Sequence, residues 1–253
     1  MWGAGPALVL VHGGYGSWTH WIRNIPELAR HHRLLVPDIP GLGDSDMPPG
    51  DDPRWIGHAL ADGVLQLAPD ARDVALAGFS FGGAVSGLML DGLAGRVRRL
   101  VLVGASALGL PLNADRPPLL SWRTLETEEE VYAVNRINLE RHMIADPARI
   151  DEQAVRLQVE NVRRARYRSA WVSRTTLLRD AIERHRVPLA GIWGAQDITC
   201  IGHIAERRDI IRELDPTAPF IEIEGAGHWV AYEASAAFNA ALVQVLGRGV
   251  GGD

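Results

Sequence analysis

Val74-Ala75-Leu76-Ala77-Gly78-Phe79-Ser80-Phe81-Gly82-Gly83-Ala84 is the stretch on which the fold turns. Val74–Ala77 reads as a short strand buried on both faces. Gly78-Phe79-Ser80-Phe81-Gly82 breaks it, and Gly83, Ala84 and Gly87 open a helix. A serine hydroxyl is a poor nucleophile and must be lifted clear of a sheet to reach both a base and a substrate carbonyl. A tight strand-to-helix turn does this, but it strains the serine backbone and crowds its neighbours, so glycine is needed two positions to each side. The helix that begins there adds its positive N-terminal end and a free backbone N–H. In a chain with 27 glycines a bare G-x-S-x-G carries little weight. A glycine-rich turn whose serine merely caps the helix has the same letters. The strand before and the helix after favour Ser80 as a nucleophile.

Outward from this turn, short apolar runs alternate with segments of helical period. The other strand candidates are Ala7–Val11, Leu34–Val36, Leu100–Val103, Leu189–Trp193 and Phe220–Ile223, each closed by Gly, Pro or Asp. Trp18, Trp21, Ile22, Ile25 and Leu28 mark one helical stripe, and Ala234, Ala237, Phe238, Ala241, Leu242 and Val245 another. Such alternation predicts an α/β fold with a mostly parallel sheet of about six strands, covered by helices on both sides. From Ser106 to Arg186 no strand is found. Thr127 precedes three glutamates and an apolar period, and Asp151 heads Ala154, Val155, Leu157 and Val162, both helix starts. The expected division is a core of residues 1–105 and 187–253 with a helical cap, 106–186, inserted over the carboxyl edge of the sheet. Gly247–Asp253 reads as a frayed tail.

A nucleophile needs a base. Phe220–Ile223 leads into Gly225-Ala226-Gly227-His228-Trp229, a loop flexible enough to return an imidazole to the serine. Leu189–Trp193 ends in Gly194-Ala195-Gln196-Asp197, which places a carboxylate where it could hold the other ring nitrogen. His228 is therefore the expected general base, and Asp197 the acid that fixes its tautomer and stabilises the imidazolium. Singly, a histidine or aspartate after a strand is usually structural; in this order and at strand ends the two support each other. Val103-Gly104-Ala105-Ser106, the other place for an acid, holds no carboxylate. Val11-His12-Gly13-Gly14-Tyr15 supplies the expected oxyanion loop, with the backbone N–H of Gly14 paired with that of Phe81. His12 reads as a residue holding this loop rather than a second base. Asp38 and Glu233 are the fallback acids.

The remaining signals mostly exclude. A chain of 253 residues is long enough for one well-buried core with an inserted subdomain. A formal charge of −5 gives no sign of a nucleic-acid or lipid surface. The single cysteine, Cys200, allows no internal disulfide, and neither a signal peptide nor a membrane anchor is visible, so a cytoplasmic location is expected. Cys200 and His203 have a metal-pair spacing but no second pair, and no metal or cofactor is expected.

Taken together, His12-Gly13-Gly14, Pro37-Asp38-Ile39-Pro40-Gly41-Leu42-Gly43-Asp44-Ser45, the turn around Ser80, the Asp197 loop and Gly227-His228-Trp229 resemble the α/β-hydrolase superfamily over nearly the whole chain. The resemblance implies a serine hydrolase with a catalytic triad and is not specific for substrate, because the fold hosts esterases, lactonases and thioesterases alike. The Trp, Phe, Leu and Met of the cap and elbow add the expectation of a serine esterase acting through an acyl-enzyme on a small, largely apolar ester or lactone. The resemblance excludes a dehalogenase, which has aspartate where Ser80 stands. Gly227-His228-Trp229, Glu233 and Phe238-Asn239 also resemble the C-terminal segment of meta-cleavage-product hydrolases, which split carbon–carbon bonds. Those enzymes carry asparagine before the serine, where this chain has Phe79, and a cap arginine for a substrate carboxylate. Arg163, Arg164, Arg166 and Arg168 are the cap arginines in question, and a solvated basic helix face is the plainer reading of them. A binding receptor on the same scaffold is the other alternative. Relatives begin with a two-strand hairpin, for which Met1–Pro6 leaves no room. Leu34–Val36 then becomes a sheet edge, and an uncovered edge allows a homodimer.

Overall fold

The computed structural model describes residues 1–93 and 95–247. Among them six strands, β1 (Ala7–Val11), β2 (Arg33–Leu35), β3 (Val74–Phe79), β4 (Val97–Val103), β5 (Leu189–Gly194) and β6 (Phe220–Ile223), form one sheet in the order β2-β1-β3-β4-β5-β6. Every strand pairs with its neighbours in parallel, with Leu8 beside both Leu34 and Ala75. β1, β3, β4 and β5 are almost wholly buried because helices cover both faces.

The helices are α1 (Ile25–Leu28), α2 (Pro53–Leu67), α3 (Phe81–Leu88), α4 (Leu90–Leu93), α5 (Glu128–His142), α6 (Glu152–Arg164), α7 (Leu177–His185), α8 (Ile204–Leu214), α9 (Val230–Glu233) and α10 (Ser235–Gly247). Side chains alternate along a strand, so the two sheet faces build separate cores. Val9, Val11, Leu76, Leu100 and Leu102 pack with Leu60 of α2, Val85 of α3, Ile182 of α7 and Ile211 of α8. Leu8, Leu10, Ala77, Val101 and Ile192 pack with Leu28 of α1 and Phe238, Leu242 and Val245 of α10. Leu139 of α5 and Val155 and Leu157 of α6 join this second core.

Three local outcomes differ from the sequence reading. The stripe from Trp18 to Leu28 is not one helix but a 3₁₀ turn, Trp18–Trp21, followed by the four-residue α1. Pro26 has no N–H to continue a helix from Trp18, and it sits where proline fits, at the start of α1. β4 begins three residues early, at Val97, because Arg98 and Arg99 are half-buried and donate to the carbonyls of Leu246 and Leu189. β2 lies one residue earlier than Leu34–Val36. It forms the sheet edge, but Trp2 bridges Leu34 antiparallel, with N–H···O distances of 3.2 and 2.8 Å, and so occupies part of that edge. Of the expected tail, Gly247 ends α10 and residues 248–253 lie outside the described residues.

Residues 106–186 contain no strand among the described residues. Thr127 and Glu130 form a reciprocal capping box at the start of α5, and the Asp151 side chain caps α6 through the N–H of Ala154. α7 behaves differently from α5 and α6. It lies against α3, with Leu178 and Ile182 in the core. No helix among the described residues is long and apolar enough to cross a membrane.

Candidate active site

In a parallel sheet every carboxyl end lies on one edge, and the loops that follow β1, β3, β5 and β6 converge there. β3 ends in the turn that carries Ser80, whose φ of 53° and ψ of −117° put a non-glycine residue in a strained conformation. The flanking glycines are dictated by close approach. A Cβ on Gly78 would lie 2.4 Å from the carbonyl oxygen of Gly82, and one on Gly82 would lie 2.3 Å from that of Val11. The Ser80 N–H donates to Val103 O at 2.9 Å, and its carbonyl accepts from the Gly83 N–H at 3.0 Å. The strained turn is thereby pinned on both sides.

His228 meets Ser80 from the loop after the edge strand β6, and Asp197 supports it from the loop after the neighbouring β5. His228 Nδ1 lies 2.8 Å from Asp197 Oδ2, and Nε2 lies 3.0 Å from Ser80 Oγ. An ionised carboxylate only accepts, so Nδ1 carries the proton and Nε2 is free to accept from the serine hydroxyl. Asp197 is fully buried. Burial works against its charge, but His228 and the N–H and hydroxyl of Thr199, at 2.9 and 2.7 Å from Oδ1, outweigh this and hold the carboxyl below its ordinary range. The pair passes over Gly104, where a Cβ would sit 3.2 Å from Asp197 Oδ2 and 3.3 Å from His228 Nδ1. The position at which an alternative acid was sought is thus the floor beneath the pair.

Gly14 and Phe81, the expected oxyanion donors, are neighbours: a Cβ on Gly14 would lie 3.7 Å from that of Phe81. His12 is buried beneath this loop, with Nε2 accepting the Ile39 N–H at 2.9 Å and Nδ1 donating to Gly13 O at 2.8 Å. Burial lowers its pKa to about 4, against the opposing effects of Gly13 O and Asp38, so it is neutral near pH 7. Both ring nitrogens are occupied by backbone, and neither is free to act as a base.

Several functional contacts were not legible beforehand. Glu233, a fallback acid in the sequence, does not touch the imidazole. Its Oε2 accepts the N–H groups of Gly227 and Ala145 at 2.7 and 3.0 Å, and its Oε1 that of Asp146 at 2.8 Å. The Trp229 N–H donates to Met143 O at 2.7 Å. Both neighbours of His228 are therefore fastened to the segment that follows α5. Ser169 brings a buried hydroxyl to the oxyanion loop, 2.5 Å from where a Gly14 Cβ would be, and Tyr167 stacks on Phe81 with ring centres 5.9 Å apart. Only Thr199 had a readable signal, since an aspartate commonly accepts from the residue two positions on. Asp38, the other fallback acid, accepts the N–H groups of Trp18 and Asp44 and braces loops. Arg163 pairs with Glu128, Arg164 with Asp44, and Arg166 with the Ser45 carbonyl. All four arginines singled out in the sequence are exposed. Cys200 is buried with its thiol pushed up to about 12, first by burial and then by Asp197, which makes it inert. Among the described residues no group of three or more His, Cys, Asp or Glu side chains is placed to hold a metal ion.

Residues 8–241 match the alpha/beta hydrolase family. The chain belongs to that family. A 117-residue segment is 40% identical to 2-hydroxy-6-oxo-2,4-heptadienoate hydrolase of Pseudomonas putida, covering 44% of this chain and 41% of that enzyme. Over 261 residues the chain is 31% identical to the dihydrolipoyllysine-residue acetyltransferase component of an acetoin cleaving system, also from Pseudomonas putida, covering 96% of this chain and 64% of that protein. The matches thus span less than two thirds of either relative. Among solved structures, a putative aryl esterase from Burkholderia cenocepacia superposes with a TM-score of 0.79 at 22% identity, covering 98% of this chain and 93% of its own. At that identity the likeness is one of fold.

Proposed function

We propose that this chain is a serine hydrolase that cleaves a small, largely apolar ester or lactone through an acyl-enzyme. The observation that carries the reading is the continuous relay from Asp197 Oδ2 through His228 to Ser80 Oγ, at 2.8 and 3.0 Å. As Ser80 Oγ attacks the substrate carbonyl carbon, its proton passes to His228 Nε2 and the developing imidazolium is stabilised by Asp197. The carbonyl oxygen, now an oxyanion, accepts from the N–H groups of Gly14 and Phe81. His228 gives its proton to the leaving oxygen as the C–O bond breaks. Water, deprotonated by the same nitrogen, then releases the acid and restores Ser80. Every step uses groups of this chain, one small-molecule substrate and one water molecule. The Phe81–Tyr167 stack beside Gly14 supports an apolar substrate.

We assign residues 1–105 and 187–253 to the core and 106–186 to the cap. The parts of the cap that reach the site are the segment after α5 and residues 167–169; α7 braces the core.

The second reading, carbon–carbon hydrolysis, is favoured by the similarity to the dienoate hydrolase. It needs a cation for the substrate carboxylate, and Arg163, Arg164, Arg166 and Arg168, the cap arginines singled out for that role, are all exposed, which favours ester or lactone cleavage instead. A panel of a short p-nitrophenyl ester, a γ-lactone and a 2-hydroxy-6-oxo-dienoate separates the two. The ester or lactone is expected to turn over with the higher kcat/KM. A higher kcat/KM for the dienoate would replace this reading with the second. No turnover of any of the three, with a ligand bound unchanged, would point to a receptor.

A further inference from the structure

We propose that His20 is a positioning residue for the oxyanion hole, acting through the backbone of Gly13; the proposal rests on the serine-hydrolase reading above. His20 lies in the 3₁₀ turn Trp18–Trp21, remote in sequence from Ser80, Asp197 and His228, and its side chain is buried. Its Nδ1 accepts the Gly13 N–H at 3.2 Å. Its carbonyl accepts the indole N–H of Trp229 at 2.9 Å. The ring packs between Phe79, which precedes the nucleophile, and Trp229, which follows the base, with ring centres 5.4 and 5.0 Å away. One residue therefore touches the oxyanion loop, the nucleophile turn and the base loop.

The consequence lies in the geometry of two peptide units. His20 holds the N–H of the His12–Gly13 peptide, and His12 Nδ1 holds the C=O of the Gly13–Gly14 peptide. With both flanking peptides fixed, Gly13 loses the freedom that its missing side chain would give it. In a planar trans peptide the N–H points opposite to the C=O. Tying Gly13 O to His12 therefore aims the Gly14 N–H the other way, and His20 prevents the unit from rotating about Gly13. The tautomers are complementary. His12 must carry its proton on Nδ1, because Nε2 accepts from Ile39, and His20 must carry its proton on Nε2, because Nδ1 accepts from Gly13. His20 has to be neutral for this, and burial first, then the neighbouring His12 and His228, lowers its pKa well below the ordinary value.

The turn is also tied to the cap. Its N-terminal Ser17 hydroxyl donates to Asn161 Oδ1 of α6 at 2.8 Å, and Thr19 Oγ1 donates to the same atom at 3.3 Å. Oxyanion alignment is thereby set by a residue that the cap holds in place.

The test compares wild type, Ser80→Ala, His20→Phe, His20→Asn and His20→Gln with a p-nitrophenyl ester and with phenylboronic acid, whose boron becomes tetrahedral on a serine oxygen. Phenylalanine keeps the ring packing but has no acceptor. The Asn oxygen reaches the Nδ1 position, whereas Gln reaches only towards Nε2. His20→Phe and His20→Gln are expected to lower kcat about 10- to 100-fold, less than outright loss of an oxyanion donor, with KM changed less than about threefold. Boronate affinity should fall with kcat, and His20→Asn should recover most of both losses. If His20→Phe does not fold, the Asn–Gln contrast carries the same decision. Full kcat and boronate affinity in His20→Phe or His20→Gln, in a protein whose wild type binds boronate through Ser80, would overturn the proposal alone. Wild type that neither turns over ester nor binds boronate in a Ser80-dependent way would overturn the serine-hydrolase reading beneath it.

Discussion

Replacing Asp197 with asparagine removes one charge and adds two hydrogens, and the surrounding bonds dictate where those hydrogens go. Oδ1 of Asp197 accepts from both the N–H and the hydroxyl of Thr199, at 2.9 and 2.7 Å, while Oδ2 faces His228 Nδ1 at 2.8 Å. In Asp197→Asn the amide oxygen stays with Thr199, whose N–H can only donate. The amide NH₂ must then face the imidazole and donate to Nδ1. The ring proton moves to Nε2, which now points a hydrogen at Ser80 Oγ and cannot take the serine proton. Loss of the correct tautomer costs about 10⁴-fold in kcat, equivalent to about 5.5 kcal/mol of barrier. The fold should survive, because asparagine fills the same space and Thr199 still anchors it. The assay is kcat for a p-nitrophenyl ester, alongside circular dichroism and a thermal melt. A folded Asp197→Asn protein within tenfold of wild type would refute the argument, and Asp38 and Glu233, already engaged by backbone N–H groups, would have to be reconsidered as the acid.

The other predictions concern the supports of the site. Acid should destabilise the fold before any carboxylate is protonated. His12 falls from 6.5 to about 4 on folding, so between those values the unfolded chain binds a proton that the native one refuses; its contribution is complete above 6.5 and is lost as pH falls towards 4. From pH 7 to pH 5 this amounts to about 2 kcal/mol, with His20 adding in the same direction. Urea unfolding at the two pH values measures it, and equal stabilities would mean that His12 is not buried in its neutral form. Glu233→Gln places an NH₂ group against at least one of the N–H donors of Gly227, Ala145 and Asp146. A stability loss of about 1–3 kcal/mol and a kcat lowered about tenfold are expected, since His228 shifts with Gly227. A Glu233→Gln enzyme with wild-type kcat would show that the base loop keeps its position without the cap.

How much of this was legible beforehand depends on whether a feature repeats locally or arises between distant segments. The strands were visible because burial on both faces demands unbroken Val, Leu and Ile, and the turn around Ser80 because Gly78 and Gly82 have to let backbone past. The capping of α5 by Thr127 and Glu130 is a three-residue pattern and was equally readable. β4 was read short because arginines whose stems pack and whose heads reach carbonyls look like loop residues. The contacts of His20 and Ser169 left no signal at all, and Glu233 stood out only as a fallback acid and in a family resemblance, not as the acceptor for the Gly227, Ala145 and Asp146 N–H groups. Each works through a backbone group or a space brought near by the tertiary fold, and the sequence holds no spacing that encodes such a contact. The four arginines illustrate the reverse: a basic cluster in the cap invites a functional role, and the fold turns each of them to solvent.

The central claim is that Ser80 is an activated nucleophile, and intact-protein mass spectrometry after brief exposure to a fluorophosphonate tests it most directly. One phosphonyl adduct is expected on wild type, mapping to the peptide that contains Ser80. None is expected on Ser80→Ala, which should be folded and slower by about 10⁴- to 10⁶-fold in ester turnover. Adduct formation should be markedly slowed in Asp197→Asn. An unmodified wild-type protein, or an adduct that persists at another residue in Ser80→Ala, would contradict the account.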